Sequence, residues 1–117
     1  MSREPYKIVF VDEIDASYVG KNIRTLAEFV SYDHRAKRAL MNWNKKYIVV
    51  VDMEFVNFNM EIGHLYFVVG EIKVSADSGE GNPIPFVKAR YIIGVNGMDV
   101  TLFRRVEEEK RLLFSQI

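Results

Sequence analysis

The sequence has no cysteine, two histidines, one tryptophan and no net charge, with 16 basic and 16 acidic side chains. Without cysteine there is no disulfide scaffold, no thiolate zinc site and no cysteine nucleophile. The two histidines, His34 and His64, sit in different contexts and make no H-x-x-x-H or H-E-x-x-H spacing. They read as one histidine in a charged turn and one at a strand end, so no metal or cofactor is expected. Long apolar runs are missing too. The longest, Tyr47 to Val51 and Leu65 to Gly70, fall far short of the roughly 20 residues that a membrane helix needs. The stretch Ile8 to Val11 is too short for a signal-peptide core, and no Asn-x-Ser/Thr sequon occurs. A soluble protein of a reducing compartment, nucleus or cytosol, is expected. Zero net charge excludes a protein that works only by coating phosphate backbones.

What the chain does have is hydrophobic content. At 117 residues, 49% hydrophobic and 13% aromatic, it is one folded domain rather than a disordered tail. A chain of this size buries roughly two-thirds of its unfolded surface. The charge is unevenly placed. Between positions 21 and 46, Lys21, Arg24, Arg35, Lys37, Arg38, Lys45 and Lys46 face only Glu28 and Asp33. Between 47 and 83, six acids face only Lys73. Such asymmetry reads either as ordinary solvated faces or as two patches with different partners.

Most of the chain has strand character. Thr25 to Tyr32 is apolar on both phases, as a bent strand burying different faces at its two ends would be. Ala39 to Trp43, Tyr47 to Asp52 and His64 to Val74 are rich in β-formers. Phe86 to Val95 alternates, with Val87, Ala89, Tyr91 and Ile93 on one side and Lys88, Arg90 and Ile92 on the other. Tyr6 to Val11 is a short apolar segment before these five. Met53 to Gly63 is apolar in a pattern that fits either a short helix or irregular backbone. Ser75 to Pro85, with Gly79, Gly81 and Pro83, is a surface loop.

The end of the chain turns helical. Asp99 is a good N-cap. Leu102, Val106, Leu113 and Ile117 fall on one stripe flanked by Phe103 and Phe114, and Glu107 to Arg111 make the wet side, with Glu107 and Arg111 placed to pair. Five short strands and a C-terminal helix fit a small closed barrel. The expected class is all-β with a C-terminal helix, a five-stranded OB-fold barrel, with an SH3-like barrel as the structural alternative. Residues 1–19 form an N-terminal segment on or beside the barrel, 20–96 the barrel and 97–117 the helix. The helix has two possible destinations, its own barrel or a helix of another chain.

Catalytic arrangements are poorly supplied. Gly20-Lys21 lacks the earlier glycine of a P-loop, since position 15 is Asp. Asp12, Glu13 and Asp15 read as a solvated acidic turn rather than an acid–base pair. The chain is expected to be no enzyme. Nucleic-acid contact has better raw material. OB-folds bind single strands on the face of their second and third strands, and that region carries Arg35, Lys37, Arg38, Lys45 and Lys46 with Tyr32, Trp43 and Tyr47 as stacking platforms, or else Trp43 and Tyr47 are core or rim aromatics and the basic side chains are solubility charge. With so few cations, such binding is weak and salt-sensitive.

Several segments together resemble one family. Gly20 to Leu26 leading to Ser31-Tyr32-Asp33 resembles the first strand of the Ten subunit of the CST telomere complex. Ile62 to Ile72, with its Gly-His-Leu-Tyr-Phe-Val-Val-Gly-Glu core, resembles the family's fourth strand. Val87 to Arg90, Gly97-Met98-Asp99 and Glu109 to Leu112 are similar to its fifth strand and helix. The likeness runs in order from about residue 20 to 114. It implies an OB barrel with a C-terminal helix, similar to the smallest subunit of replication protein A, itself the alternative reading alongside a stand-alone weak single-strand binder. It implies a non-catalytic nuclear subunit at chromosome telomeres. Its partners are a Stn-type OB-fold subunit and a large Cdc13- or Ctc-type subunit, with telomeric single-stranded DNA and DNA polymerase alpha–primase reached through the complex and no membrane contact. By this resemblance Arg24 on the barrel and Met98, Leu102, Val106 and Leu113 on the helix form the partner interface, and periodicity adds Phe103 and Phe114.

Overall fold

Each run of β-branched and aromatic residues becomes a strand in the computed structural model, which describes residues 7–53, 59–75, 84–95 and 97–115. The strands are β1 (Lys7–Ile8), β2 (Asn22–Asp33), β3 (Arg38–Trp43), β4 (Tyr47–Asp52), β5 (Leu65–Val74) and β6 (Pro85–Gly94), followed by helix α1 (Val100–Ser115). Antiparallel pairs join β2 to β3, β3 to β4 and β5 to β6. A parallel pairing joins β4 to β6 and an antiparallel one joins β5 back to β2. The result is a closed ring, β2-β3-β4-β6-β5, with no free edge of its own. One strand exceeds the expected five: β1 adds two parallel residues beside Ile23 and Arg24.

β2 can serve two neighbours because it bends. Residues Asn22 to Glu28 pair with β5, and Glu28 to Asp33 pair with β3. A register shift between Phe29 and Ser31 leaves Phe29 buried and Val30 exposed. This bulge is the physical source of the mixed phase in the sequence. The core holds Ile23, Leu26, Met41, Met53, Val68, Ile72 and Val87, with Thr25 the only buried polar side chain among the described residues. Val9 and Val11 are equally buried, so residues 7–13 pack as part of the barrel wall.

The alternation expected along β6 fails halfway. Tyr91 pairs with Val69 while Ala89 pairs with Gly70, so Arg90 is an extra residue. Beyond this bulge the phase slips by one: Tyr91 and Ile93 are exposed and Ile92 packs on the core. Gly70 makes the bulge possible. A Cβ on Gly70 would lie 2.2 Å from the Lys88 carbonyl oxygen.

Turns follow from local chemistry. Asp33 accepts hydrogen bonds from the Arg35 and Ala36 amides and closes the β2–β3 turn. At the β3–β4 tip, Asn44 and Lys45 both take φ near 56°, and the Asn42 side chain accepts from the Lys45 amide at 3.1 Å. Residues 54–58 of the undecided Met53–Gly63 segment lie outside the described residues. Residues 59–63 are neither helix nor strand, and Met60 packs on the core. Most of the 75–85 loop is likewise outside the described residues; at its base the Ser75 amide donates to the Ile84 carbonyl.

Candidate partner interface

Gly97, at φ 92°, turns the chain out of the barrel. Asp99 then caps α1, its carboxylate accepting from the Leu102 amide at 3.0 Å. From there, 100° per residue sorts the helix into faces. Positions 100, 103, 104, 107 and 111 share one side, and 102, 106, 109 and 113 share the opposite side.

The first side docks on the barrel. Phe103 stands between Phe10 and Phe67, with ring centroids 6.1 and 5.4 Å away. Met98 and Val100 pack on the core beside it. Arg104 grips Asp12 with two hydrogen bonds, 2.6 and 3.0 Å. Arg111 does the same to Glu13, at 2.7 and 3.1 Å, and also donates to the Ile8 carbonyl at 2.7 Å. Both guanidinium groups lie over the Phe10 ring. Phe10 is thus held between barrel aromatics and two helix cations, and its own amide donates to Glu13 at 2.9 Å.

This bracket revises three expectations. Asp12 and Glu13 are more than a solvated turn, because Arg104 and Arg111 of the helix engage their carboxylates. Glu107 and Arg111 are not on the wet side: Glu107 is largely buried and pairs with Lys110, while the Arg111 fork is taken by Glu13. Phe103 and Met98 turn toward the barrel instead of outward. The bracket also perturbs acidity. The Arg104 hydrogen bond, opposed by burial, holds the Asp12 carboxyl below its ordinary range. For Glu13 burial pushes upward, but the Arg111 and Phe10 hydrogen bonds outweigh it and the carboxyl is also lowered. Asp15 is lowered by the Ser17 hydroxyl and amide alone.

The second side of α1 is open. Leu102, Val106 and Leu113 are 55, 42 and 62% exposed. With Glu109 between them they repeat at intervals of four, three and four, the spacing of a coiled-coil seam. The Phe114 side chain and Ile117 lie outside the described residues. Arg24, on the barrel, rests over the Phe67 ring at 5.6 Å, and its Nε is buried without a hydrogen-bond partner among the described residues. Because Phe67 also touches Phe103, Arg24 belongs to the neighbourhood of the helix.

The nucleic-acid residues do not form one group. Arg35, Lys37 and Arg38 lie at the β2–β3 turn, with Arg38 stacked on Phe86. Lys45, Lys46 and Tyr47 lie at the opposite end of the β3–β4 hairpin, a full six-residue strand away, or about 20 Å. Trp43 is nearly buried against Phe10. The outer face between these ends presents Leu40, Ile48 and Val50, which offers bases no aromatic platform.

Family comparison covers nearly the whole chain. A family model described as "Telomere-capping, CST complex subunit" matches residues 2–116. The chain belongs to this family. It is 30% identical over 106 residues to the human CST complex subunit TEN1, spanning 86% of this chain and 82% of that protein. The fold matches the telomere capping protein Ten1 of Saccharomyces pombe with a TM-score of 0.74 at 17% identity, over 92% of this chain and 98% of that one. It also matches a chain of the S. pombe Stn1–Ten1 complex with a TM-score of 0.73 at 16% identity, over 94% and 95%. The five-stranded ring with its C-terminal helix is therefore the family's OB-fold. The family match starts at residue 2 and so includes the Asp12–Glu13 turn, which the likeness of separate segments, beginning near residue 20, does not reach.

Proposed function

We propose that this chain is the small, non-catalytic subunit of a telomere-capping complex and that it pairs with a Stn-type OB-fold subunit through the outer side of α1. The single observation behind this is the division of the helix. One side is fixed to the barrel by Phe103, Arg104 and Arg111, and the other leaves Leu102, Val106 and Leu113 in water at seam spacing. Full burial of such a side chain from water contributes about 1.5–3 kcal/mol, and about half of each remains exposed here. Three of them, with Arg24 on the barrel, work against association costs of several kcal/mol or more. Arg24 supplies a half-buried cation that takes a carboxylate from the partner.

In this reading a large Cdc13- or Ctc-type subunit completes the complex in the nucleus. The assembly protects telomere ends, sets their length and supports C-strand fill-in by DNA polymerase alpha–primase. Contact with telomeric single-stranded DNA is weak for this chain and strong for the whole.

The test is binding to the Stn-type subunit by calorimetry, with circular dichroism as the check on folding. Leu102→Glu and Leu113→Glu are expected to weaken pairing at least ~100-fold, as a charge in a desolvated interface does, while the barrel melts as before. Full affinity in both variants would overturn the proposed interface. Capture of the two larger subunits of replication protein A in place of a Stn-type protein would overturn the assignment of partner.

A further inference from the structure

Between the β3–β4 tip and the first half of α1 lies a cleft of about 440 Å³, lined by Trp43, Asn44 and Tyr47 on one side and Thr101, Arg104 and Arg105 on the other. This volume lies within the roughly 300–1,000 Å³ of small-ligand sites. Two carboxylates, Asp12 and Glu108, also line it, but Arg104 engages both, at 2.6 and 3.6 Å. Three cations, one lining the cleft and two on the hairpin tip beside it, have no such strong partner among the described residues. Arg105 pairs with Glu109 at 3.7 Å, with both side chains mostly exposed. Lys46 hangs over the Tyr47 ring at 5.4 Å. Lys45 lines an adjoining hollow of about 260 Å³ that shares Trp43, Asn44 and Val100 with the cleft. An exposed tyrosine ring with one lysine over it, and with further cations on the adjoining hairpin tip and helix, is the ordinary composition of a single-strand site. The usual OB ligand face, here Leu40, Ile48 and Val50, shows no such ring among the described residues.

We infer that this cleft holds one nucleotide of single-stranded DNA, its base stacked on Tyr47 and its flanking phosphates met by Lys45, Lys46 and Arg105. The inference rests on the reading that the chain works on telomeric single strands within its complex. It moves the DNA contact from the outer sheet face to the junction of hairpin and helix. Arg35, Lys37 and Arg38, at the far end of the hairpin, take no part in it.

Fluorescence anisotropy of a labelled oligothymidylate at low salt tests it, with the full chain alone and in complex with the Stn-type subunit. Tyr47→Ala is expected to weaken binding roughly tenfold, and Tyr47→Phe to leave it within about twofold, since stacking needs only the ring. The pair Lys46→Glu and Arg105→Glu weakens it further and flattens the salt dependence by about 0.7 for each phosphate no longer neutralised. The pair Arg35→Glu and Lys37→Glu, an equal change of charge at the other end, leaves binding unchanged. Equal losses from both pairs would show a diffuse field and overturn the site. So would an unaltered affinity in Tyr47→Ala, or no binding by the chain or its complex. If Lys46→Glu with Arg105→Glu broke subunit pairing and spared DNA, the cleft would belong to the protein partner and the inference would fall. Leu113→Glu, which removes pairing, is expected to leave binding of DNA by the chain alone intact, so the two readings fail separately.

Discussion

Replacing Asp12 or Arg104 with alanine should release the front half of α1 from the barrel. The pair is bidentate, at 2.6 and 3.0 Å, with side chains only 19 and 26% exposed. Exposed ion pairs couple by about 0.2–1 kcal/mol, and breaking fully buried ones costs roughly 3–5 kcal/mol. This pair lies between, so a coupling energy of about 1–2 kcal/mol is expected from the cycle of Asp12→Ala, Arg104→Ala and the double variant. Arg104→Ala alone should cost more, about 2–3 kcal/mol, because it also uncovers the Phe10 and Trp43 rings and strands the Asp12 carboxylate. At about 4 °C per kcal/mol for a chain of this size, Arg104→Ala should melt near 10 °C lower. The assay is urea unfolding followed by Trp43, the sole tryptophan. Trp43 sits against Phe10 and under Arg104, so undocking of the helix should also red-shift its native emission. The pH dependence has a defined sign. Asp12 and Glu13 are both held below their ordinary values of 3.8 and 4.5. Their contribution is therefore complete above those values and is lost as pH falls through the lowered ones. A coupling below about 0.3 kcal/mol, or native emission unchanged in both single variants, would refute the bracket.

Gly70→Ala should cost at least about 3 kcal/mol, since the added Cβ meets backbone 2.2 Å away at the β6 bulge; thermal melting measures it, and a loss below about 1 kcal/mol would show that the bulge relaxes. Phe103→Ala should cost about 2–3 kcal/mol and weaken partner binding by loosening the helix base, which the same melts and calorimetry would read. Thr25→Val should raise stability by up to about 1 kcal/mol, because the buried hydroxyl has no hydrogen-bond partner among the described residues. A lower melting temperature would show that the hydroxyl is satisfied after all.

The strands were legible because their signal is local. Tyr47 to Val51 is β-branched or aromatic throughout and Tyr66 to Val69 likewise, and the mixed phase of β2 recorded its bend. The slip in β6 was not legible, because it depends on Gly70 across the ladder letting one backbone approach another. The outer stripe of α1 could be read from spacing. Its inner side could not, since Arg104, Glu107 and Arg111 look like a solvent face until Asp12 and Glu13, more than 90 residues earlier, come to meet two of them. A signal did exist: two arginines seven apart lie on one face two turns apart, and two adjacent acids follow a short apolar segment. The basic–aromatic cluster was legible as composition only. Register then divided it, sending Arg35 and Lys37 to one end of the hairpin and Lys45 to Tyr47 to the other.

The choice of arginine on the inner side and leucine on the outer has a physical consequence for assembly. Apolar attraction is non-directional. A helix with leucines on every side could roll on the barrel and hide Leu102, Val106 and Leu113 beneath itself, gaining about 1.5–3 kcal/mol for each one buried. Two forked ion pairs remove that freedom. They fix the rotation of α1 through paired hydrogen bonds to Asp12 and Glu13, and they fix its height through the Phe10 ring that both cations cover. Rolling the helix would break both forked ion pairs, a cost that opposes the apolar gain. In the proposed pairing, the short segment before the barrel therefore decides which side of the last helix is presented to the partner. Its exposed leucines are kept outward by geometry, ordered before any partner arrives, so the entropic cost of arranging them is not charged to the binding step.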